Sequence, residues 1–249
     1  MTVTTEVLEW GQERARAGPW RGDGLVAYLA PLPQAPPPSA DFLWRCLDTL
    51  AERGYAEVIT SALVGSEQRP FRAVGFEPRE RLRLLVHDLV ALPPAAPVPL
   101  RRATKADWPE VLDVDASSFS AFWRLDRGGL AEALVATPAS RFRIAGSRRT
   151  ATPVFHGDTS AGGVLGYAIT GRAGDEGYLQ RLAVAPAARR VGMGRALALD
   201  GLRWLRRRGT RRAVVNTQYG NDAALRLYLD LGFTMEPSDL AVLHRTLAP

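Results

Sequence analysis

The run Leu179-Gln-Arg-Leu-Ala-Val-Ala-Pro-Ala-Ala-Arg-Arg-Val-Gly-Met-Gly-Arg195 constrains this chain more than any other. Its first part, up to Val184, reads as a strand that ends at Pro186. From Gly194 to Arg208, Ala198, Leu202 and Leu205 fall on one stripe while Asp200, Arg203 and Arg207 lie off it, which is the spacing of an amphipathic helix. Only a short coil separates the two, and it carries Arg189, Arg190 and Gly192. A helix start offers N–H groups without intrahelical partners and a partial positive charge. Glycines let the main chain approach a ligand and arginines add charge, so the segment reads as an anion site; a plain glycine-rich turn is the alternative. It lacks the Gly-Lys-Ser/Thr ending of a Walker loop and the three glycines of a dinucleotide-binding turn.

Signals on either side build an α/β domain. Leu100 to Thr104 is predicted as a strand, Lys105 to Ala116 and Asp126 to Ala136 as helices. Arg141 to Ala145, Gly163 to Thr170 and Tyr178 to Val184 follow as strands. Gly146 to Gly162 is polar and glycine-containing, and is expected to be a mobile hairpin loop. Arg212 to Thr217 is a further strand, Asn221 starts a helix with Gly232 at its end, and Leu240 to Leu247 closes as a strand. Prolines crowd Leu32 to Pro38 and Leu92 to Pro99, and the second run is expected to be a linker. It divides the chain into residues 1–97 and 98–249.

The sequence also repeats itself. Arg208-Gly-Thr-Arg-Arg-Ala-Val-Val, Leu231-Gly-Phe and the terminal strand echo Arg53-Gly-Tyr-Ala-Glu-Val-Ile, Val74-Gly-Phe and Leu82 to Leu89. A helix–strand–helix–strand unit therefore occurs twice.

Two motifs of the later copy carry a family resemblance. Arg189-x-x-Gly192-x-Gly194, preceded by Leu-Ala-Val-x-Pro, resembles the pyrophosphate loop of the Gcn5-related N-acetyltransferases. Asn221, Ala224, Tyr228, Gly232 and Phe233 match a second pattern of that family. The resemblance covers about residues 98–249. It implies the acyl-CoA N-acyltransferase fold: a mixed, splayed central sheet flanked by helices, here preceded by a partial, degenerate copy. It further implies that Leu182, Ala183 and Val184 meet the pantetheine arm of acetyl-CoA. Arg189, Arg190, Val191, Gly192, Met193, Gly194 and Arg195 would wrap its pyrophosphate, with Asn221 facing the same groove as Tyr228. Tyr228 would be general acid toward the departing thiolate. Phe119, Phe122 and Trp123 lie where the family shapes its acceptor site, and Asp126 or Asp115 is a candidate for holding a cationic acceptor. No carboxylate stands centrally on the strand before the loop. Glu176, just upstream, is the candidate base, and attack by the free amine without one is the alternative. In the earlier copy Phe71 replaces Tyr228, Val64 falls near the place of Asn221, and Pro36 to Pro38 stand where the glycines would be. That half is expected to be non-catalytic.

Composition trims the remaining options. With 249 residues the chain can bury a sizeable core, and it has no apolar run long enough to span a membrane. Glu6, Glu9 and Glu13 contradict a signal peptide, so a cytoplasmic location is expected. Cys46 is the only cysteine, too few for a disulfide or a cysteine-based zinc site, and no metal is expected. The net charge is +6, with Lys105 the sole lysine among 32 basic residues, which suits a phosphate-bearing partner. The arginines from Arg203 to Arg212 form a solvated helix end rather than a nucleic-acid surface, because only Trp204 offers a base-stacking ring. The reading is an acetyl-CoA-dependent N-acetyltransferase acting on a primary amine, of a small molecule or a peptide N-terminus. A non-catalytic acyl-CoA-binding module is the alternative. The chain is expected to be a monomer or a homodimer.

Overall fold

Strand and helix signals alternate twice along the chain, and the structure realises both rounds. The computed structural model describes residues 6–32, 34–94, 98–146 and 163–247. In order these form β1 (Glu6–Trp10), β2 (Glu13–Pro19), β3 (Val26–Pro31), α1 (Ala40–Glu52), β4 (Glu57–Val64), α2 (Gly65–Ala73) and β5 (Glu77–His87). Next come β6 (Leu100–Arg102), α3 (Trp108–Ser118), α4 (Arg127–Val135), β7 (Ala139–Ala145), β8 (Gly166–Ala173) and β9 (Glu176–Val184). The last elements are α5 (Met193–Arg207), β10 (Arg212–Gln218), α6 (Asp222–Asp230), β11 (Thr234–Met235) and β12 (Leu240–Thr246). The expected mixed α/β architecture is present. Residues 147–162 of the expected hairpin loop, and residues 95–97 of the expected linker, lie outside the described residues. No described helix is long and apolar enough to cross a membrane.

The chain divides into two compact units. The first comprises residues 1–84, 217–221 and 235–249, the second residues 85–216 and 222–234. In the first, strand order is β1-β2-β3-β4-β12-β5. β3 and β4 run parallel, joined by α1, and β12 is antiparallel to both neighbours. Leu29, Leu43, Leu50, Phe71 and Leu243 make its core. In the second, the order is β10-β9-β8-β7-β6. Leu179, Leu199, Leu202, Leu205 and Phe233 pack on one face of this sheet, and Val111, Leu130, Ile144 and Tyr167 belong to a separate core that takes in α3 and α4.

These units do not follow the boundary expected at residue 97. Residues 85–94 belong to the second unit, where His87 Nε2 meets the Leu231 carbonyl at 3.0 Å and Arg203 donates to the Pro93 carbonyl at 2.7 Å. In the opposite direction β12, from the later repeat, lies in the first unit between two strands of the earlier one.

The repeat extends to individual helix ends. After α1, Gly54 N–H reaches the Ala51 carbonyl and Tyr55 N–H the Leu50 carbonyl; after α5, Gly209 bonds Arg206 and Thr210 bonds Leu205. After α2, Phe76 N–H reaches the Phe71 carbonyl, and after α6, Phe233 N–H reaches that of Tyr228. Gly75 and Gly232 turn the chain with φ of 84° and 95°, a left-handed conformation that costs glycine nothing.

Cys46 sits fully buried on α1, and burial, helped by the charge of Glu13, pushes its thiol up to about 12. We expect no reaction with a disulfide reagent in the folded protein and one thiol equivalent after unfolding in guanidinium, read by absorbance.

Candidate functional site

β9 and β10 begin side by side and then part. Their parallel register runs from Arg212↔Glu176 to Val214↔Tyr178 and stops there. The cause lies on the other edge of β9. Its pairing with β8 steps from Thr170↔Leu179 to Ile169↔Arg181, so Gln180 is an inserted residue. Such a bulge bends a strand and strengthens its twist, which turns the rest of β9 away from β10.

Beyond the bulge the ladder dictates which main-chain groups are available. Ala185 N–H donates to the Leu165 carbonyl at 2.9 Å, and the register continues as Gly166↔Val184, Tyr167↔Ala183 and Ala168↔Leu182. Antiparallel pairs alternate between bonded and non-bonded. Ala183 therefore spends its polar groups on β8, while Leu182 and Val184 turn theirs to the side that β10 has left. Of these, the Val184 carbonyl is taken by Ser118 Oγ and Arg189 Nε, each at 3.2 Å.

The strand leads straight into the helix start. Arg190 and Gly192 both adopt left-handed backbone, with φ of 68° and 85°. Ala196 N–H reaches back to the Gly192 carbonyl at 3.0 Å, so the N–H groups of Met193, Gly194 and Arg195 precede the first helical bond. A Cβ on Gly194 would meet Leu227 Cδ2 at 3.4 Å, an ordinary contact. Packing does not demand glycine there. Arg190 and Val191 are exposed, and Arg195 reaches the Asp230 carbonyl at 3.4 Å.

In the earlier repeat the matching helix start is capped by a side chain. Ser39 Oγ accepts the Phe42 N–H at 3.2 Å, and Glu13 accepts both the N–H and, at 2.9 Å, the hydroxyl of Ser39. The Glu13 carboxylate thus holds the N-cap residue of α1, whose hydroxyl takes one of the first helical N–H groups.

Arg181, to which no role is assigned from sequence, organises the neighbourhood of α3. Its guanidinium binds Asp115, with Nε to Oδ2 at 2.8 Å and Nη2 to Oδ1 at 2.9 Å, and also donates to the Trp123 carbonyl at 2.6 Å. The Phe119 ring lies under it, 3.6 Å from its centroid. Asp115 is fully buried and also accepts the Tyr167 hydroxyl and, at 2.7 Å, the Leu125 N–H. Burial first, and then the Asp115 charge, push the Tyr167 phenol far above its ordinary range although Arg181 opposes this, so that it donates and does not ionise.

The predicted site residues fare differently. Phe119 and Trp123 come together around Arg181. Asp115 is paired with Arg181. Asp126 caps α4, accepting the Gly129 N–H at 2.6 Å, which is the helix-start role. Glu176 opens β9, eight residues and roughly 26 Å of strand from Val184. It binds Arg212 at 2.8 Å and the Tyr178 hydroxyl at 2.9 Å, so the structure does not bring it to this site. Asn221 belongs to the first unit, immediately before α6, with its N–H on the Gln218 carbonyl at 3.1 Å. Tyr228, on α6, is 5% exposed and packs against Phe233 with ring centroids 5.6 Å apart. Among the described residues nothing hydrogen-bonds its hydroxyl, and burial alone raises its pKa well above the usual phenol value.

A splayed parallel pair, an outward main-chain edge and a helix start thus follow one another along the chain. Comparison with known proteins identifies the family. The model of the acetyltransferase (GNAT) family matches residues 108–233, and the chain belongs to that family. Over 72 residues it is 44% identical to the mycothiol acetyltransferase of Amycolatopsis mediterranei, a match covering 28% of this chain and 24% of that protein. The chain thus matches only about a quarter of that relative's length. Among solved structures, a tandem GNAT protein from the clavulanic acid biosynthesis pathway superposes with a TM-score of 0.68 at 13% identity, covering 98% of this chain and 82% of that one. A GCN5-related N-acetyltransferase from Sphaerobacter thermophilus gives 0.58 at 17% identity, over 97% and 83%. These last two likenesses establish the fold.

Removing the charge of Asp115 leaves Arg181 buried without its partner. Asp115→Asn is expected to cost about 3–5 kcal/mol in urea unfolding. Asp115→Asn with Arg181→Met should recover part of that loss.

Proposed function

We propose that this chain transfers the acetyl group of acetyl-CoA to a primary amine, of a small molecule or a peptide N-terminus, by direct attack in a ternary complex. The observation that carries the reading is the continuity of donors: the outward Leu182 and Val184 main chain runs into the bare N–H groups of Met193, Gly194 and Arg195. An extended pantetheine arm would pair with the first as an added strand does. A diphosphate suits the second, with Arg189 and Arg190 supplying charge and Val191 and Gly192 shaping the turn.

In this reading a main-chain N–H of β9 polarises the thioester carbonyl. The amine nitrogen attacks, its C–N bond forms, the C–S bond breaks, and the proton that the nitrogen sheds passes to the departing sulfur to give the neutral thiol. Tyr228 serves the departing sulfur. Its raised phenol pKa, against about 8.5 for a thiol, makes full proton transfer uphill. The hydroxyl therefore helps by donating a hydrogen bond as charge develops. Asp115 is spent on Arg181 and Glu176 on Arg212, so the amine arrives already deprotonated. Phe119 and Trp123 wall the acceptor side, and Asp126 is retained there only as a helix cap. The first 97 residues are read as a non-catalytic copy whose helix start is capped by Ser39, itself held by Glu13.

Acyl-CoA binding without turnover is the second reading, favoured by the absence of an uncommitted carboxylate among these groups. Calorimetry and turnover with a panel of amines separate the two. Acetyl-CoA binding together with thiol release supports the enzyme, and binding without release supports the module.

Tyr228→Phe is expected to lower kcat about 100-fold while leaving the acetyl-CoA Kd unchanged. Equal turnover would remove the hydroxyl from the reaction. The raised phenol also sets a pH profile: kcat/KM should climb with amine deprotonation and show no falling limb from Tyr228 below about pH 10, because the residue stays protonated there.

A further inference from the structure

The helix that carries Tyr228 is fastened at its end by a histidine from outside it. His87, the last residue of β5, belongs to the second unit and is 3% exposed. Both of its ring nitrogens are used. Nδ1 accepts the Leu89 N–H at 2.8 Å, so it carries no proton. Nε2 therefore holds the ring hydrogen and donates it to the Leu231 carbonyl, 3.0 Å away, just past the last turn of α6. Leu89 itself adopts left-handed backbone with φ of 61°, which a leucine keeps only when its surroundings hold it. The His87 ring and the burial of the Leu89 side chain do so, and the ring faces α6 in one orientation.

The fit against α6 is close. A Cβ on Gly232 would stand 3.1 Å from His87 Nε2, so glycine there makes room for the ring as well as turning the chain. The His87 ring meets Phe233 edge-on, with centroids 5.1 Å apart, and Phe233 packs in turn on Tyr228. The Phe233 N–H returns to the Tyr228 carbonyl at 3.0 Å. His87 thus reaches the neighbourhood of Tyr228 by one polar and one aromatic contact. With no hydrogen bond to steer the Tyr228 hydroxyl among the described residues, ring packing and the seat of α6 decide where it points.

We propose that His87 is a positioning residue: by holding the Leu231 carbonyl, its Nε2–H fixes the end of α6 and so aims the Tyr228 hydroxyl at the departing sulfur. This rests on the acetyl-transfer reading. His87 acts through the helix end and Phe233, and not on a reacting atom.

Two amide substitutions separate the two ring bonds. His87→Asn sets an amide oxygen near the place of Nδ1 and falls short of Leu231, whereas His87→Gln sets an amide N–H near the place of Nε2. With a good amine acceptor, His87→Asn is expected to lower kcat about 10-fold, and His87→Gln to stay within about three-fold of the wild type. Calorimetry should give all three proteins the same acetyl-CoA Kd. In a Tyr228→Phe background His87→Asn should cost nothing further, because the group it aims is gone. Losses that multiply in the double substitution, or an undiminished kcat in His87→Asn, overturn the proposal. Nitrogen-15 spectra of the three histidine rings give a readout without turnover. One ring, absent in His87→Gln, should be fixed as Nε2–H with Nδ1 unprotonated, and the opposite tautomer at that ring overturns the proposal. A wild type that binds acetyl-CoA and acetylates no amine removes the acetyl-transfer reading instead, and leaves His87 no reaction to serve.

Discussion

The second unit is arranged around one buried ion pair. Arg181 on β9 and Asp115 on α3 are joined by two hydrogen bonds, and between them they fix a Trp123 carbonyl, a Leu125 N–H, the Tyr167 hydroxyl and the Phe119 ring. Burying two charges is worthwhile only when nearly every donor and acceptor is met, and here the chain between α3 and α4 supplies those partners. The pair thereby converts an irregular segment into a wall of defined shape. It also fixes α3 beside the stretch of β9 whose edge is bare, a placement completed by Ser118 on the Val184 carbonyl.

A bulge and a helix start divide the work on the other side of the same strand. Gln180 shifts the register so that alternate residues after it point their main chain outward. Gly192 then lets the chain turn into α5, whose first helical bond is made only by the Ala196 N–H. Neither feature makes a coenzyme site alone. Their succession, a strand edge followed at once by an anion-binding helix end, matches a long ligand with a peptide-like arm and a charged head.

How much of this the sequence showed depends on the range of the interaction. Helix α5, the glycines around it and the α6 pattern are local, governed by residues three or four apart, and they were readable. The duplicated caps at Gly54, Gly75, Gly209 and Gly232 were equally so. The bulge was not, because nothing in Leu179-Gln-Arg-Leu marks which residue the ladder will skip. Arg181 and Asp115 left a faint signal, each a charge in an otherwise apolar strand or helix face, but pairing them requires knowing that α3 crosses β9. Glu176 is near the loop in sequence, but an extended strand separates it from Val184 and it binds Arg212 and Tyr178. Compact units depend on range in the same way: a proline-rich run marks where the chain is stiff, while hydrogen bonds to Leu231 and from Arg203 tie residues 85–94 to the second unit.

The position of β12 has an implication for biogenesis. The gap between β4 and β5 is filled by a segment separated from both by most of the chain. Until that segment has been synthesised, β4 and β5 present open edges and the core around Leu43 and Phe71 lacks Leu243. Nascent chains must therefore tolerate, or be guarded through, a long interval in which the earlier half is incomplete. Dividing the gene between the two halves would yield fragments that mature only when combined.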